Sequence, residues 1–160
     1  MRTLVIYYSW SKMGNTQKLA EYMGEKLNAT IEKLIDKKEK KGAVGWLQGG
    51  VKGARKMLTE IELIKAKLEE YELICIGGPV WSWDLNPVVR TFLTNYKLGN
   101  KKIILFTTMS KNGDDNCFTS MKSLIGDKAD ILGQISVKAE DVIKGEYKGR
   151  VDEFLKNFKF

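Results

Sequence analysis

Residues 9–16 read SWSKMGNT and stand between the apolar run LVIYY and the helix-like stretch QKLAEYMGEKL. Ser9, Ser11 and Thr16 supply hydroxyl donors, Asn15 supplies an amide, and Gly14 lets the backbone come close. A helix N-terminus presents N–H groups and a partial positive charge, so hydroxyls gathered at one suit an anion. The stretch is not a Walker loop, because there is no GK[ST] and Lys12 precedes the glycine; nor is it GxGxxG. Donation from hydroxyls and backbone suits a buried phosphate monoester at the end of a cofactor. Ser, Thr and Asn are also the commonest N-caps, so plain capping competes with this reading.

Two further stretches carry unusual residues. GGPVWSWDLNP (77–87) has two glycines that free the backbone, Pro79 that stiffens the turn, and two tryptophans in a loop. An aromatic platform beside a phosphate cradle points to a flat ring stacked by Trp81, with Trp83 as the alternative. Either indole could instead cap the core. SKNGDDNCFTS (110–120) is polar, carries Ser110, Gly113 and two acids, and ends near Phe118. Its backbone groups could read the edge of a heteroaromatic ring, or form a plain turn and N-cap.

The chain has no histidine and only two cysteines. That removes Ser-His-Asp and Cys-His nucleophile systems, His-ligated zinc and the usual near-neutral proton shuttle. No catalytic side chain and no metal set is expected, and any reactive atoms belong to a bound cofactor. At 160 residues, with 43% apolar and 29% charged residues, the chain is expected to form one domain over 1–160. No apolar run approaches the ~20 residues that cross a bilayer. LVIYY is too short for the apolar part of a signal peptide. Cys75 lies in the apolar run LICIGG, where a reduced, buried thiol is the expectation. These features predict a cytoplasmic protein.

The elements that must position these stretches alternate. Strands are predicted at 2–8, 30–36, 71–77, 101–109 and 130–138, the second half-exposed as an edge would be. Helices are predicted at 15–27, through Leu19, Ala20, Met23 and Leu27; over PVVRTFLTNY, opening with Pro87 after Asn86; and over GRVDEFLKNF, through Val151, Phe154, Leu155 and Phe158. The stretch 43–58 is helix-like but rich in glycine. Such alternation predicts a parallel sheet with helices on both faces, and ligands then bind at the carboxyl ends of the strands.

Over essentially its whole length the chain resembles the flavodoxin family of FMN-binding proteins. YYSWSKMGNTQKLA resembles the family's phosphate loop, with Ser9, Ser11, Gly14, Asn15 and Thr16 at matching positions and Trp10 and Met13 within the loop. GGPVWSW is similar to the second flavin loop. It sets Pro79, Val80 and Trp81 where G-x-P-T-W places the ring-stacking tryptophan, followed by Ser82 and Trp83. NGDDNCF resembles the third loop, with Gly113 and Asp114 at its G-D pair, Ser110 just ahead, and Phe118 near the usual stacking tyrosine. GWLQGGVKGARK (45–56) is similar to a segment of flavodoxin-like reductases. The phosphate loop is longer than the common S-x-T-G-N-T form by Lys12 and Met13, which leaves open whether Ser9 or Ser11 meets the phosphate.

The resemblance implies an α/β flavodoxin-like three-layer sandwich, a five-stranded parallel sheet in order 2-1-3-4-5 with helices on both faces. It implies FMN as cofactor and a carrier passing single electrons between redox partners. The alternative is an FMN-dependent NAD(P)H:quinone or small-acceptor oxidoreductase. A phosphoacceptor switch needs aspartates after the first and third strands, where this chain has serine and Gly-Gly-Pro.

Charge is the largest departure, since electron-carrying flavodoxins are typically acidic and this chain has net charge +7. Lys33, Lys37, Lys38, Lys40, Lys41, Lys52, Arg55 and Lys56 stand against Asp36 and Glu39, which makes +6 of that total. The segment is either a solvated edge or a docking face for an acidic redox partner, such as a ferredoxin-like protein, or for an acidic substrate. Neither nucleic acid, for which no recognition helix is evident, nor a membrane is expected as a partner.

Overall fold

A computed structural model of the chain describes residues 1–10, 13–38 and 56–159. The glycine-rich stretch read as helix-like at 43–58 falls almost entirely outside them. Strands β1 (Thr3–Tyr7), β2 (Thr30–Lys33), β3 (Leu73–Trp81), β5 (Lys102–Met109) and β6 (Asp130–Lys138) form one parallel sheet in the order β2-β1-β3-β5-β6. A two-residue strand β4 (Asp84–Leu85) folds back antiparallel on β3. Leaving that ribbon aside, the order is the expected 2-1-3-4-5. Helices α1 (Asn15–Lys26), α2 (Pro87–Asn95), α3 (Asp114–Ile125), α4 (Ala139–Lys144) and α5 (Tyr147–Lys156) complete the sandwich.

The three central strands are apolar on both sides because both sides are covered. Leu4 and Ile6, Ile74 and Ile76, and Ile103 and Leu105 face one core with Val88, Val89 and Phe92 of α2 and Met121 of α3. Their alternates Val5 and Tyr7, Leu73 and Cys75, and Ile104 and Phe106 face the other, with Leu19, Ala20 and Met23 of α1 and Val151 of α5. Each fully buried side chain of this size contributes roughly 1.5–3 kcal/mol, so this strict alternation fixes the sheet register. It also separates the cysteines. Cys75 lies in one core and Cys117 in the other; both are free, and burial pushes each thiol up to about 12.

Several boundaries differ from the sequence reading. β2 stops at Lys33 because its partner β1 ends at Tyr7, with which Lys33 is in register. Beyond it the chain turns to residues 60–62: Lys37 N–H donates to the Glu60 carbonyl and Glu62 N–H to that of Ile35. β3 continues past Gly77 into the ribbon with β4. Most of the stretch read as a polar loop, 110–120, is helical, since α3 opens at Asp114 and turns Cys117, Phe118 and Met121 inward. The short α4 is an element the sequence reading did not include. Among the described residues no helix is long and apolar enough to cross a membrane.

Candidate functional site

β1, β3 and β5 end at one edge of the sheet, and the chain leaving each end encloses a cavity of about 200 Å³. Its walls are Ser9 and Trp10 after β1, Asn15 and Thr16 opening α1, Pro79–Trp81 ending β3, Thr108–Ser110 at the end of β5, and Ala139 after β6. One side is therefore rich in hydroxyls and the other in apolar and aromatic surface.

The hydroxyl side gathers around the start of α1. Gly14 occupies the N-cap with φ +61°, a left-handed conformation that glycine adopts without strain, and has no side chain with which to cap. The first turn of α1 carries no acid. The helices that follow β3 and β5, α2 and α3, are less suited to an anion. Asn86 caps α2 by accepting from Val89 N–H, and α3 begins with Asp114 and Asp115. The partial positive charge is thus left for a ligand at α1. There the Thr16 and Thr108 hydroxyls are 2.6 Å apart and buried. Asn15 Oδ1 is buried with no hydrogen-bond partner among the described residues, an acceptor suited to a ligand hydroxyl.

The aromatic side is built by the β3–β4 ribbon. Trp81 meets Tyr8 edge-on, with ring centres 5.7 Å apart, and Trp10 edge-on at 6.1 Å. Residues Ser82 and Trp83 make the two-residue turn between Trp81 and its partner Asp84, at φ +49° and +58°. Such a turn prefers Asn-Gly, so Ser-Trp holds it under strain and must be braced. The brace is Asp84. Its carboxylate accepts from the Ser120 hydroxyl at 2.6 Å, with Arg90 Nη2 at 3.5 Å and Lys56 Nζ at 3.8 Å. The Arg90 and Asp84 side chains are only 9% and 13% exposed, and Arg90 Nε has no hydrogen-bond partner among the described residues. Asp84 is therefore the acid facing a nearly buried cation.

Of the residues singled out in the sequence, Ser9, Trp10, Asn15, Thr16, Pro79, Val80, Trp81 and Ser110 line the cavity together. Ser11 lies outside the described residues. Met13 is exposed, and Gly14 sits behind the wall as the cap of α1. Ser82 forms the ribbon tip with Trp83, which is 66% exposed and is not among the residues lining the cavity. Gly113, Asp114 and Phe118 are placed elsewhere. Gly113 packs under the turn, where a Cβ would come within 2.6 Å of Trp83 Cα. Asp114 accepts from the Ser136 hydroxyl, and Phe118 is buried in the α2–α3 core. The third stretch buttresses the second. Thr108, Met109 and Ala139 line the cavity but were not singled out; Thr108 and Met109 were signalled by their place at the end of the apolar run KKIILFTTM. Among the described residues no cluster of His, Cys, Asp and Glu could hold a metal.

A parallel sheet in this order, with an anion-suited helix start and an aromatic ribbon facing each other across its carboxyl edge, defines a flavodoxin-like nucleotide-binding sandwich. The chain belongs to the flavodoxin family, whose model, described as "Flavodoxin", matches residues 2–145. Its fold is similar to that of a flavoprotein of Bacteroides eggerthii (TM-score 0.73, 22% identity, 90% of this chain and 94% of that one). It is also similar to a Lactobacillus acidophilus flavoprotein solved in complex with FMN (0.68, 21%, 90% and 97%) and to oxidised flavodoxin 2 of Bacillus cereus (0.55, 18%, 99% and 100%). No curated protein matches the sequence.

Removing one partner of the Asp84–Arg90 pair leaves the other charge nearly buried and alone. Asp84→Ala is expected to lower stability by about 3–5 kcal/mol in urea unfolding, and adding Arg90→Leu should restore most of it. A double variant no more stable than Asp84→Ala would contradict the brace.

Proposed function

We propose that the cleft binds FMN, with the phosphate at the start of α1 and the flavin ring against Trp81, and that the protein carries electrons between redox partners. The observation that carries this reading is the joining of hydroxyls at a glycine-capped helix start to an aromatic wall within one cavity. The residues fit the group. Ser9 and Thr16 offer hydroxyls to a phosphate, Asn15 Oδ1 offers an acceptor to a ribityl hydroxyl, and Trp10 and Trp81 offer rings. The L. acidophilus relative in complex with FMN supports the same ligand. A cavity of about 200 Å³ is below the ~300–1,000 Å³ typical of pockets that enclose a whole ligand, so a cofactor reaching from the start of α1 to Trp81 would be only partly enclosed. Bound FMN supplies the redox chemistry, accepting and returning electrons; the chain binds, orients and shields it.

The partner side of the reading rests on charge. Lys37 and Lys38 pair with Glu60 at 3.2 and 3.4 Å, and Lys56 reaches Asp84 at the base of the ribbon. Lys40, Lys41, Lys52 and Arg55 lie outside the described residues. An excess of +6 ending beside the ribbon supports an acidic, ferredoxin-like partner steered towards the cofactor. Buried free thiols support a cytoplasmic setting.

Fluorescence titration tests the cofactor. FMN should bind and FAD should not. Trp81→Ala should weaken FMN by about two- to tenfold, the equivalent of ~0.5–1.5 kcal/mol of stacking, and raise the emission of the bound flavin. Trp83→Ala should do less, and the reverse ranking would put the ring on the other indole. For docking, glutamine at Lys37, Lys38, Lys40 and Lys41 should slow electron exchange with an acidic ferredoxin-like protein by about tenfold at low salt while sparing FMN affinity. Unchanged exchange would remove the docking role.

A further inference from the structure

A short polar contact between two residues that line the cavity joins side chains far apart in sequence. Thr16 Oγ1 and Thr108 Oγ1 are 2.6 Å apart, and either can be the donor. Thr16 stands in the first turn of α1. Thr108 stands near the end of β5, held on both sides by the sheet, in register with Pro79 of β3 and Val137 of β6. Both residues line the cavity. The neighbouring Thr107 is also wholly buried, yet its hydroxyl has no hydrogen-bond partner among the described residues. A threonine in this strand therefore need not have its hydroxyl engaged. At Thr108 it is engaged, and at the cavity.

Each hydroxyl has one proton and two lone pairs. If Thr16 donated to Thr108, the free O–H would be that of Thr108 at the strand end. The hydroxyl at the start of α1, where the helix N–H groups and partial positive charge gather, would then have only lone pairs to offer an anion. If Thr108 donates, Thr16 keeps its own O–H for the cavity. Its donation to a charged oxygen is then strengthened by the bond it accepts. We propose that Thr108 is a positioning residue for the cofactor phosphate: it donates to Thr16 Oγ1 and so aims the Thr16 O–H at a phosphate oxygen. This rests on the FMN reading above. It adds to that reading a residue that does not itself touch the phosphate, and a direction for the hydrogen bond.

Affinities for FMN and for riboflavin, which lacks the phosphate, separate the possibilities. Wild type, Thr16→Val, Thr108→Val, the double variant, Thr108→Ser and Thr107→Val would be titrated by flavin fluorescence. Thr108→Val is expected to weaken FMN about tenfold and to leave riboflavin within about twofold. On a Thr16→Val background it should cost nothing further, because the bond it supports is already gone. Thr108→Ser should restore wild-type affinity. Thr107→Val, which removes an idle hydroxyl, should bind both flavins as wild type does. Equal weakening of FMN and riboflavin, multiplying losses in the double variant, or no loss of FMN affinity in Thr108→Val would each overturn the role of Thr108 while leaving the FMN reading intact. Wild-type protein that binds neither flavin would overturn the FMN reading and this role with it.

Discussion

The side chain of Asn86 ties the end of β3 to the start of α2, and the site depends on that tie. It is fully buried; its Nδ2 donates to the Pro79 carbonyl at 3.0 Å and its Oδ1 accepts from Val89 N–H at 2.9 Å. The first bond fixes where β3 leaves the sheet, and the second closes the N-terminus of α2. The ribbon of Trp81 springs from between them. Gly78 makes the approach possible, since a Cβ there would collide with the Asn86 amide. An asparagine is the economical choice because one short side chain both donates and accepts.

From that tie the division of labour around the cavity follows. Closing α2 with Asn86, and placing acids at the start of α3, leaves α1 as the helix start suited to negative charge. The two sheet faces then differ in what they support. α1 packs on one core and delivers Asn15 and Thr16, while α2 and α3 pack on the other and brace the ribbon through Asp84, Arg90, Ser120 and Gly113. On the FMN reading proposed above, phosphate and ring would be held by opposite layers of the sandwich, which meet at the strand ends of the sheet. Rigidity of the central strands, buried on both faces, is what keeps the two halves in register.

Much of this is legible in the sequence, for physical reasons that differ by element. LVIYY, LICIGG and IILFTT read as central strands because burial on both faces demands continuous apolar runs, and Asn86-Pro87 read as a helix start because its chemistry is local. Ser9, Asn15 and Thr16 were singled out for the same reason, and the structure brings these three together at the cavity. The stretch after Gly113 was misread because Asp, Asn and Gly signal a turn, whereas Cys117, Phe118, Met121, Leu124 and Ile125 repeat at helical spacing and prevail once a core is there to receive them. Phe118 consequently packs inside. The ties between Thr16 and Thr108 and between Asp84 and Ser120 span 92 and 36 positions, and only the folded sheet brings such partners together.

The central claim is that this cleft holds one FMN and uses it as a one-electron carrier. It is tested most directly by loading the protein with FMN, adding reductant stepwise without oxygen, and following the visible spectrum. The account predicts that the flavin takes up its two electrons in separate steps, and that NAD(P)H with a quinone present is not turned over. Reduction in a single two-electron step, with rapid NAD(P)H oxidation, would contradict it and make the protein an oxidoreductase.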